Sequence, residues 1–583
     1  MKFPLRQLKL SLRALILVLG FLQAYAGRFY IEHDGVNYFD VAQAYARHDW
    51  RHAINGYWSP LYSWLLALIE VLFRPAPYWE STSLHLLNFF LFVLALIAFE
   101  FFLSRLLALV NSLFPELSGE AARPTWAWWL LGYTAFAVCT LRIITLGNDT
   151  PDMGLAALVF LAIGILVDLR QSKRGIFRYA LLGVVLGFAY LMKGVMFPLF
   201  FVFLFSAAFT RGEIRKPDLR ALATIAGFLI LSLPFAFAMS QVQGHLTFGE
   251  TGKVAYIHEV LHADEHKPDS VNRLTRETRK NERADAQHSP QKLTDDPPAY
   301  IYKTPNTFAT SAALYDPSSW WAGRTPRFDL REQIRALGRA GVSFFHMLST
   351  EKQWVAGWLV LALFAVAWRQ LRERLTQLWF VWFPPVVTLA LYSLVLLEPR
   401  YAAVWITIIW LVLFAAVDWP QAKINANATR NIGAAVVLAI AITSGVAVLK
   451  GGFDNLAECL RKEPNVPFEI GQSLLSMGLK PGDEVAFMGH TIIPYYWAHL
   501  SGLRVTGDIQ LDDMHAYWSA TPQKRNEIAD RFRENSIKAL VLSGPPQVPG
   551  GWQAIADTGY YVQFLDDRIA NPASSPAPAA ASH

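Results

Sequence analysis

Six charged residues in this sequence sit at the ends of long apolar runs. Asp34 follows the first run, and Asp149 and Asp152 lie in LGNDTPD ahead of a later one. Lys193 falls in MKGV between two runs, and Glu398 and Arg400 stand in LLEPRY between two more. A charge at the centre of a membrane helix costs about 2.5–3.5 kcal/mol on insertion scales, so charges kept near that depth point to work done there. Two kinds of work suit these residue types. A carboxylate within hydrogen-bond reach of a hydroxyl takes its proton as general base, a role open to Asp34 or Asp152. A Lys or Arg holds the charge of a departing phosphate, a role open to Lys193 or Arg400.

Membrane helices must position them. Of the 583 residues, 53% are hydrophobic and only 17% charged, the composition of a membrane protein. Runs near the crossing length of about 20 residues occur at 8–27, 82–103, 126–146, 152–169, 177–193, 195–210, 219–239, 354–369, 378–397, 401–418 and 432–449, so a multi-pass α-helical protein with about eleven transmembrane helices is expected. The first run has a basic flank and an AYA triplet at Ala24–Ala26, as a cleaved signal peptide would; an uncleaved first span fits better, because further spans follow. The formal charge of +6 comes from Lys and Arg in short clusters between runs, which fits orientation in a bilayer and no nucleic-acid partner. Basic segments at the N-terminus, 168–178, 211–220 and 368–375 are expected in the cytoplasm. All six charged residues then fall on the outer side, with outer loops at 28–81 and 240–352. NYFDVAQAYARHDW, SPLYSWLLALIEVLF and 328–348 carry apolar residues at helical spacing and are read as interfacial helices.

The expected organisation is a membrane module over 1–450, a soluble α/β domain outside the membrane over 451–570, and a disordered tail over 571–583. In the second region apolar strand-like stretches such as KALVLSG alternate with helical ones such as TPQKRNEIADRFREN. It lacks a GxGxxG fingerprint, so docking or packing is favoured over nucleotide binding. Cys139 and Cys459 lie in regions of opposite character and suggest neither a disulfide framework nor a cysteine metal site.

Two acids and two cations at one depth suit displacement of a sugar from a lipid phosphate by an acceptor hydroxyl, which inverts the anomeric carbon. At these residues the sequence resembles a known family. HDGVNYFDVAQAYARHDW with GYWSPLYSWLLAL, then TPDMGLAALVFLAIG, GVVLGFAYLMKG and LLEPRYAAVWITII, resemble the C-type glycosyltransferases of the protein O-mannosyltransferase and lipid A aminoarabinose transferase group, across residues 1–420. The resemblance implies that fold, a polyprenyl-phosphate sugar donor, and a lipid, glycan or protein acceptor at the outer face of a bacterial inner membrane. It implies Asp34 as the first-loop acid and base, Asp152 as the acid opening the fourth helix, and Arg400 with Tyr401 near the donor phosphate. Two departures stand out: Ser59 replaces a lysine before the proline in WSPLY, with Lys193 a candidate substitute, and Gly35 replaces the second member of an acidic pair. Substrate contacts are further expected from Tyr57, Trp58, Ser59, Asp149 and Glu398.

Structural roles compete with these. Asp34 and Asp152 could cap helices, Lys193 could snorkel, Arg400 could anchor to lipid phosphate, and Tyr57, Trp58, Trp320 and Trp321, which could stack on sugar, better suit an aromatic belt. HEVLHADEH offers HExxH at His258 and His262, with Glu259 between and His266 beyond, a zinc-protease pattern. It stands in a polar loop with no apolar periodicity for a protease core, so adventitious metal binding is the stronger reading. No cofactor is implied, and a divalent metal ion stays open. A transporter or flippase of lipid-linked sugars is the alternative class, and would show midplane charges and an internal repeat; Glu100 and Arg142 are the only charges near apolar runs that speak for it.

Overall fold

The computed structural model describes residues 5–115, 124–171, 175–210, 216–263, 274–276, 290–302, 309–311, 314–364, 368–417, 426–461, 463–489, 495–544 and 550–565. Among the described residues each of the eleven apolar runs overlaps a helix. In chain order the helices are α1 (Leu5–Ala26), α2 (His33–Ala46), α3 (Pro60–Phe73), α4 (Glu80–Leu113), α5 (Thr125–Ala137, widening into a π-turn at Val138–Ile144), α6 (Asp152–Gln171), α7 (Ile176–Met192), α8 (Met196–Phe209) and α9 (Leu222–Gln243). They continue as α10 (Leu330–Thr350), α11 (Lys352–Phe364), α12 (Trp368–Gln377), α13 (Trp379–Ser393), α14 (Pro399–Ala416) and α15 (Ala426–Leu460). Among the described residues seven helices are long and apolar enough to cross a membrane, or eight if α12 and α13, bent by 83°, form one span. The chain is a multi-pass α-helical membrane protein with a C-terminal α/β unit.

Lipid tails provide no hydrophobic drive between helices, so close packing and small residues hold the bundle. Phe99 of α4 meets Phe136 of α5 and Phe160 of α6, each at 5.1 Å between ring centroids. Glycines let α7 and α9 touch backbone to backbone: a Cβ at Gly183 would stand 2.1 Å from the Thr224 carbonyl, and one at Gly227 2.3 Å from that of Ala180. Glu100 is paired inside the bundle with Arg13 and Tyr133, and Arg142 pairs with Glu351 at 2.6 Å. Neither is a lone midplane charge. Cys139 and Cys459 are unpaired thiols.

Outside the bundle, α2 and α3 pack on each other. Helix α10 starts where the Asp329 carboxylate accepts from Arg331 and Glu332 N–H. It leaves Leu330, Ile334, Val342 and Phe345 exposed, the pattern of a helix lying in a membrane interface.

The C-terminal unit is built on a seven-stranded sheet. Its strands are β1 (Gln291–Asp295), β2 (Pro298–Ile301), β3 (Glu484–Gly489), β4 (Arg504–Gln510), β5 (Ile537–Ser543), β6 (Gln553–Ile555) and β7 (Tyr560–Phe564), in the order β1-β2-β4-β3-β5-β7-β6. Central β3 runs parallel to β4 and β5. Its side chains alternate, so Phe487 joins a core on one face and Met488 a core on the other, as a sheet covered on both sides requires. Two strands come from the long outer loop, with Tyr300 registered opposite Asp508. Helix α15 runs unbroken through residue 450, so the sheet and the membrane module share chain on both sides of that position.

Candidate active site

Four elements deliver the charged residues to one place. Asp34 lies in the first turn of α2 and Asp152 opens α6. Lys193 is the C-cap of α7, in extended backbone, and Arg400 follows the N-terminal proline of α14. Proline at that helix position has no N–H to leave unsatisfied and fixes the start of the turn. The Lys193 ammonium donates to Asp152 Oδ1 at 2.5 Å, and Thr150 Oγ1 donates to Asp152 Oδ2 at 2.9 Å. The Arg400 guanidinium lies 3.8 Å from Asp152, 3.8 Å from Asp34 and 3.9 Å from Glu32. Tyr401 receives Lys193 over its ring at 3.6 Å and stacks on Tyr392 at 5.3 Å.

Exposure separates the two acids. The side chain of Asp152 is 4% exposed and that of Asp34 21%. Asp152 has both oxygens occupied and is suited to aiming the two cations, whereas Asp34 is the more exposed of the two. Arg400 stands in ion-pair range of its acids but beyond hydrogen-bond range, so its fork can turn to an incoming anion. Three of these neighbours were invisible to the sequence reading. Glu32 stands at the edge of a run, Thr150 is a small polar residue in a turn, and Tyr392 lies within a span, so only its spacing to Tyr401 along two helices could have signalled it.

The other expected residues sit nearby but do different things. Ser59 is close to the Lys193 turn, its Oγ 3.9 Å from where a Cβ on Gly194 would be. This puts Lys193 beside the position where the resembling enzymes carry a lysine. Glu398 caps α14 through its carbonyl, which accepts from Tyr401 and Ala402 N–H at 3.0 and 3.2 Å. Asp149 touches neither cation; its Oδ2 accepts from Glu32 N–H at 2.7 Å. Tyr57, Trp58 and Ser59 line a small cleft with Tyr190, Gly194 and Phe248.

The aromatic-belt expectation needs correcting for three tryptophans. Trp58 is buried, its indole donating to the Leu314 carbonyl at 3.3 Å and its ring meeting Tyr38 edge-on. Trp320 and Trp321 are buried in a cluster with Val254, Ile257, Leu261 and Tyr302. Aromatic cores under the outer loop explain all three better than contact with lipid headgroups.

The HExxH stretch has no zinc-binding geometry among the described residues. His258 and Glu259 lie in a π-turn at Tyr256–Val260, and His262 has φ of 50°, so the regular helix that would put both histidines on one face is absent. His258 Nε2 accepts from the Trp321 indole at 2.8 Å. His266 lies outside the described residues. Among the described residues no three His, Cys, Asp or Glu are grouped to hold a metal ion.

Neither a protein-family model nor a curated protein sequence matches the chain. Solved structures do. ArnT from Cupriavidus metallidurans bound to undecaprenyl phosphate is similar at 12% identity and a TM-score of 0.52, over 97% of this chain and 99% of that one. The apo form of the same ArnT is similar at 13% identity and a TM-score of 0.52. The apo oligosaccharyltransferase of Archaeoglobus fulgidus is similar at 14% identity and a TM-score of 0.50, over 93% of this chain and 69% of that one. The fold of this chain is therefore that of the C-type glycosyltransferases.

Proposed function

We propose that this protein is a membrane glycosyltransferase, which takes a sugar from a polyprenyl-phosphate donor and passes it, with inversion, to an acceptor hydroxyl at the outer face of the bacterial inner membrane. The observation that carries the reading is the meeting of Asp34, Asp152, Lys193 and Arg400, drawn from four separate elements, at one partly open point of a bundle with this fold. The undecaprenyl phosphate in the ArnT structure supports a lipid-phosphate donor here.

Asp34 is the base. It is the more open acid, and its charge is held by Arg400 at a distance that leaves the carboxylate able to accept a hydroxyl proton. As the acceptor oxygen bonds to the anomeric carbon and the bond to the donor phosphate breaks, charge grows on the phosphate oxygens. Arg400 and Lys193 meet that charge, and cations already gathered in a partly dry site stabilise it with little reorganisation beyond the turn of the Arg400 fork. Asp152 keeps both aimed. In this reading the N-terminus lies in the cytoplasm and the sheet unit outside it, as the basic segments suggest; the acceptor is a lipid, glycan or protein hydroxyl reaching the site from that side.

The test begins with mass spectrometry of lipid-linked sugars that co-purify with the protein. The sugar found is then supplied, labelled, as its polyprenyl phosphate to protein in nanodiscs. Acceptor-dependent release of polyprenyl phosphate is expected, and an Asp34→Asn variant should bind donor without releasing it. Full turnover by that variant removes Asp34 as base; release in the absence of any acceptor would point to hydrolysis instead of transfer.

A further inference from the structure

Helix α2 has an incomplete start. Glu32 is its N-cap residue and makes no side-chain cap bond, Asp34 is the second helical residue, and Gly35 is the third. In a capping box, the side chain of the third helical residue reaches back to the N–H of the N-cap residue. Gly35 has nothing to reach with. That N–H is nevertheless satisfied, because Asp149 Oδ2 from the loop leading into α6 accepts it at 2.7 Å.

The fit is steric as well as polar. A Cβ on Gly35 would stand 2.7 Å from Asp149 Cβ and 3.1 Å from Asp149 Oδ2. The Asp149 side chain, from its Cβ outward, and Ile31 Cγ2 at 2.9 Å thus fill the space that a side chain at position 35 would enter. Asp149 is fully buried, and burial pushes its carboxyl well above the usual range, with the Glu32 N–H opposing. An acceptor oxygen is what the contact uses, not a charge.

A second tie joins the same two segments. One ring nitrogen of His85 on α4 lies 2.8 Å from the Tyr30 carbonyl and the other 3.3 Å from that of Leu146. Asn88, on the same helix, donates to the Leu146 and Asn148 carbonyls at 3.3 and 3.1 Å. Tyr30 lies just upstream of Asp34, and Leu146 and Asn148 just upstream of Asp152. Helix α4 therefore holds both acid-bearing segments against one another.

We propose that Asp149 is a positioning residue that completes the capping box of α2 from another loop, so that the segment carrying Asp152 sets where Asp34 points. The inference rests on Asp34 being the base, as argued above, but the contact itself is measurable without turnover. An α2 start released from Asp149 can fray or rotate, and Asp34 then leaves the reach of Arg400.

Three variants in nanodiscs, followed by peptide-level hydrogen exchange over residues 28–36 and by donor-dependent turnover, test it. Asp149→Ala should exchange about tenfold faster there, the scale of a lost cap, and lose about tenfold in kcat with donor KM within about threefold. Asp149→Asn keeps the acceptor oxygen and should stay within about threefold of the parent in both. Gly35→Glu combined with Asp149→Gly, which also removes the Asp149 Cβ that a side chain at position 35 would meet, returns the acceptor to the helix itself and should recover most of both losses. The proposal is overturned by unchanged exchange in Asp149→Ala, by Asp149→Asn falling as far as Asp149→Ala, or by a double variant no better than Asp149→Ala. If Asp149→Ala does not fold, the other two decide. Absence of turnover in the parent protein would count against the transferase reading alone, since the exchange data still judge the cap.

Discussion

Replacing Lys193 by methionine separates two jobs that one amine performs. Its Nζ is 2.5 Å from Asp152, whose side chain is 4% exposed, so Lys193→Met leaves a buried carboxylate short of its nearest cation. Breaking a buried pair by removing one partner costs about 3–5 kcal/mol. Two contacts remain, Thr150 Oγ1 at 2.9 Å and Arg400 at 3.8 Å, and they bring the expected loss to the lower end, about 2–3 kcal/mol. Adding Asp152→Asn removes the orphaned charge while keeping an acceptor for Thr150, so the double variant should recover most of that stability. Turnover should not recover. A charged hydrogen bond to the donor phosphate is worth about 1.5–3 kcal/mol, or about 10- to 100-fold in kcat/KM, and neither variant restores it. Thermal unfolding of detergent-solubilised protein, followed by tryptophan fluorescence, reads the first quantity, and polyprenyl phosphate release reads the second. A double variant that regains both would refute the reasoning, because Lys193 would then serve only to neutralise Asp152. A single variant as stable as the parent would show that the buried pair is not formed.

Other outcomes follow from the same geometry. Asp34→Asn should lower kcat by about 10²–10⁴-fold, the range of general-base contributions, with donor affinity nearly unchanged; a loss confined to affinity would contradict the assignment. His499 lies between Asp40 at 2.8 Å and Glu80 at 3.3 Å. Burial would lower its pKa, but Glu80 and Asp40 prevail and raise it to about 10. Since the folded value lies above the unfolded value of about 6.5, the stabilisation is complete below about pH 6.5 and is lost as pH rises through about 10. The stability deficit of His499→Gln should accordingly shrink from pH 6 to pH 10, and a deficit that grows with pH would sink the argument. Gly183→Val, facing the Thr224 carbonyl, should abolish the monodisperse peak in size-exclusion chromatography, where Gly445→Val, with no atom near its added Cβ, should not. His262→Ala should leave turnover within about twofold of the parent, because its left-handed backbone takes it off any HExxH face; chelator-sensitive proteolysis would revive the zinc-protease reading.

The charged residues of the site were legible because hydrophobic runs make the exceptions stand out. Asp34, Asp152, Lys193 and Arg400 each interrupt or border such a run, and the basic loops on the other side assign all four to one face. What the sequence withheld is contact between distant segments. Asp149 caps Glu32 across 117 positions, and no local pattern carries that. The same holds for strands β1 and β2, a short hairpin that joins the sheet only through the pairing of β2 with β4. Trp320 and Trp321 were misassigned for a related reason: a tryptophan next to a membrane run suits a headgroup belt or a buried cluster equally well until its neighbours are known.

The pairing of β2 with β4 also restricts how the chain threads the bilayer. Residues 298–301 and 504–510 hydrogen-bond in one sheet, so both must lie in the same compartment, whichever it is. The polypeptide between them can then traverse the membrane only an even number of times. Among the described residues α14 and α15 are the helices of that interval long and apolar enough to cross singly, and two passes satisfy the parity; if the bent pair α12–α13 crosses as well, α11 must cross with it. Inserting or deleting a single span there would strand half of a sheet on the wrong side of the lipid.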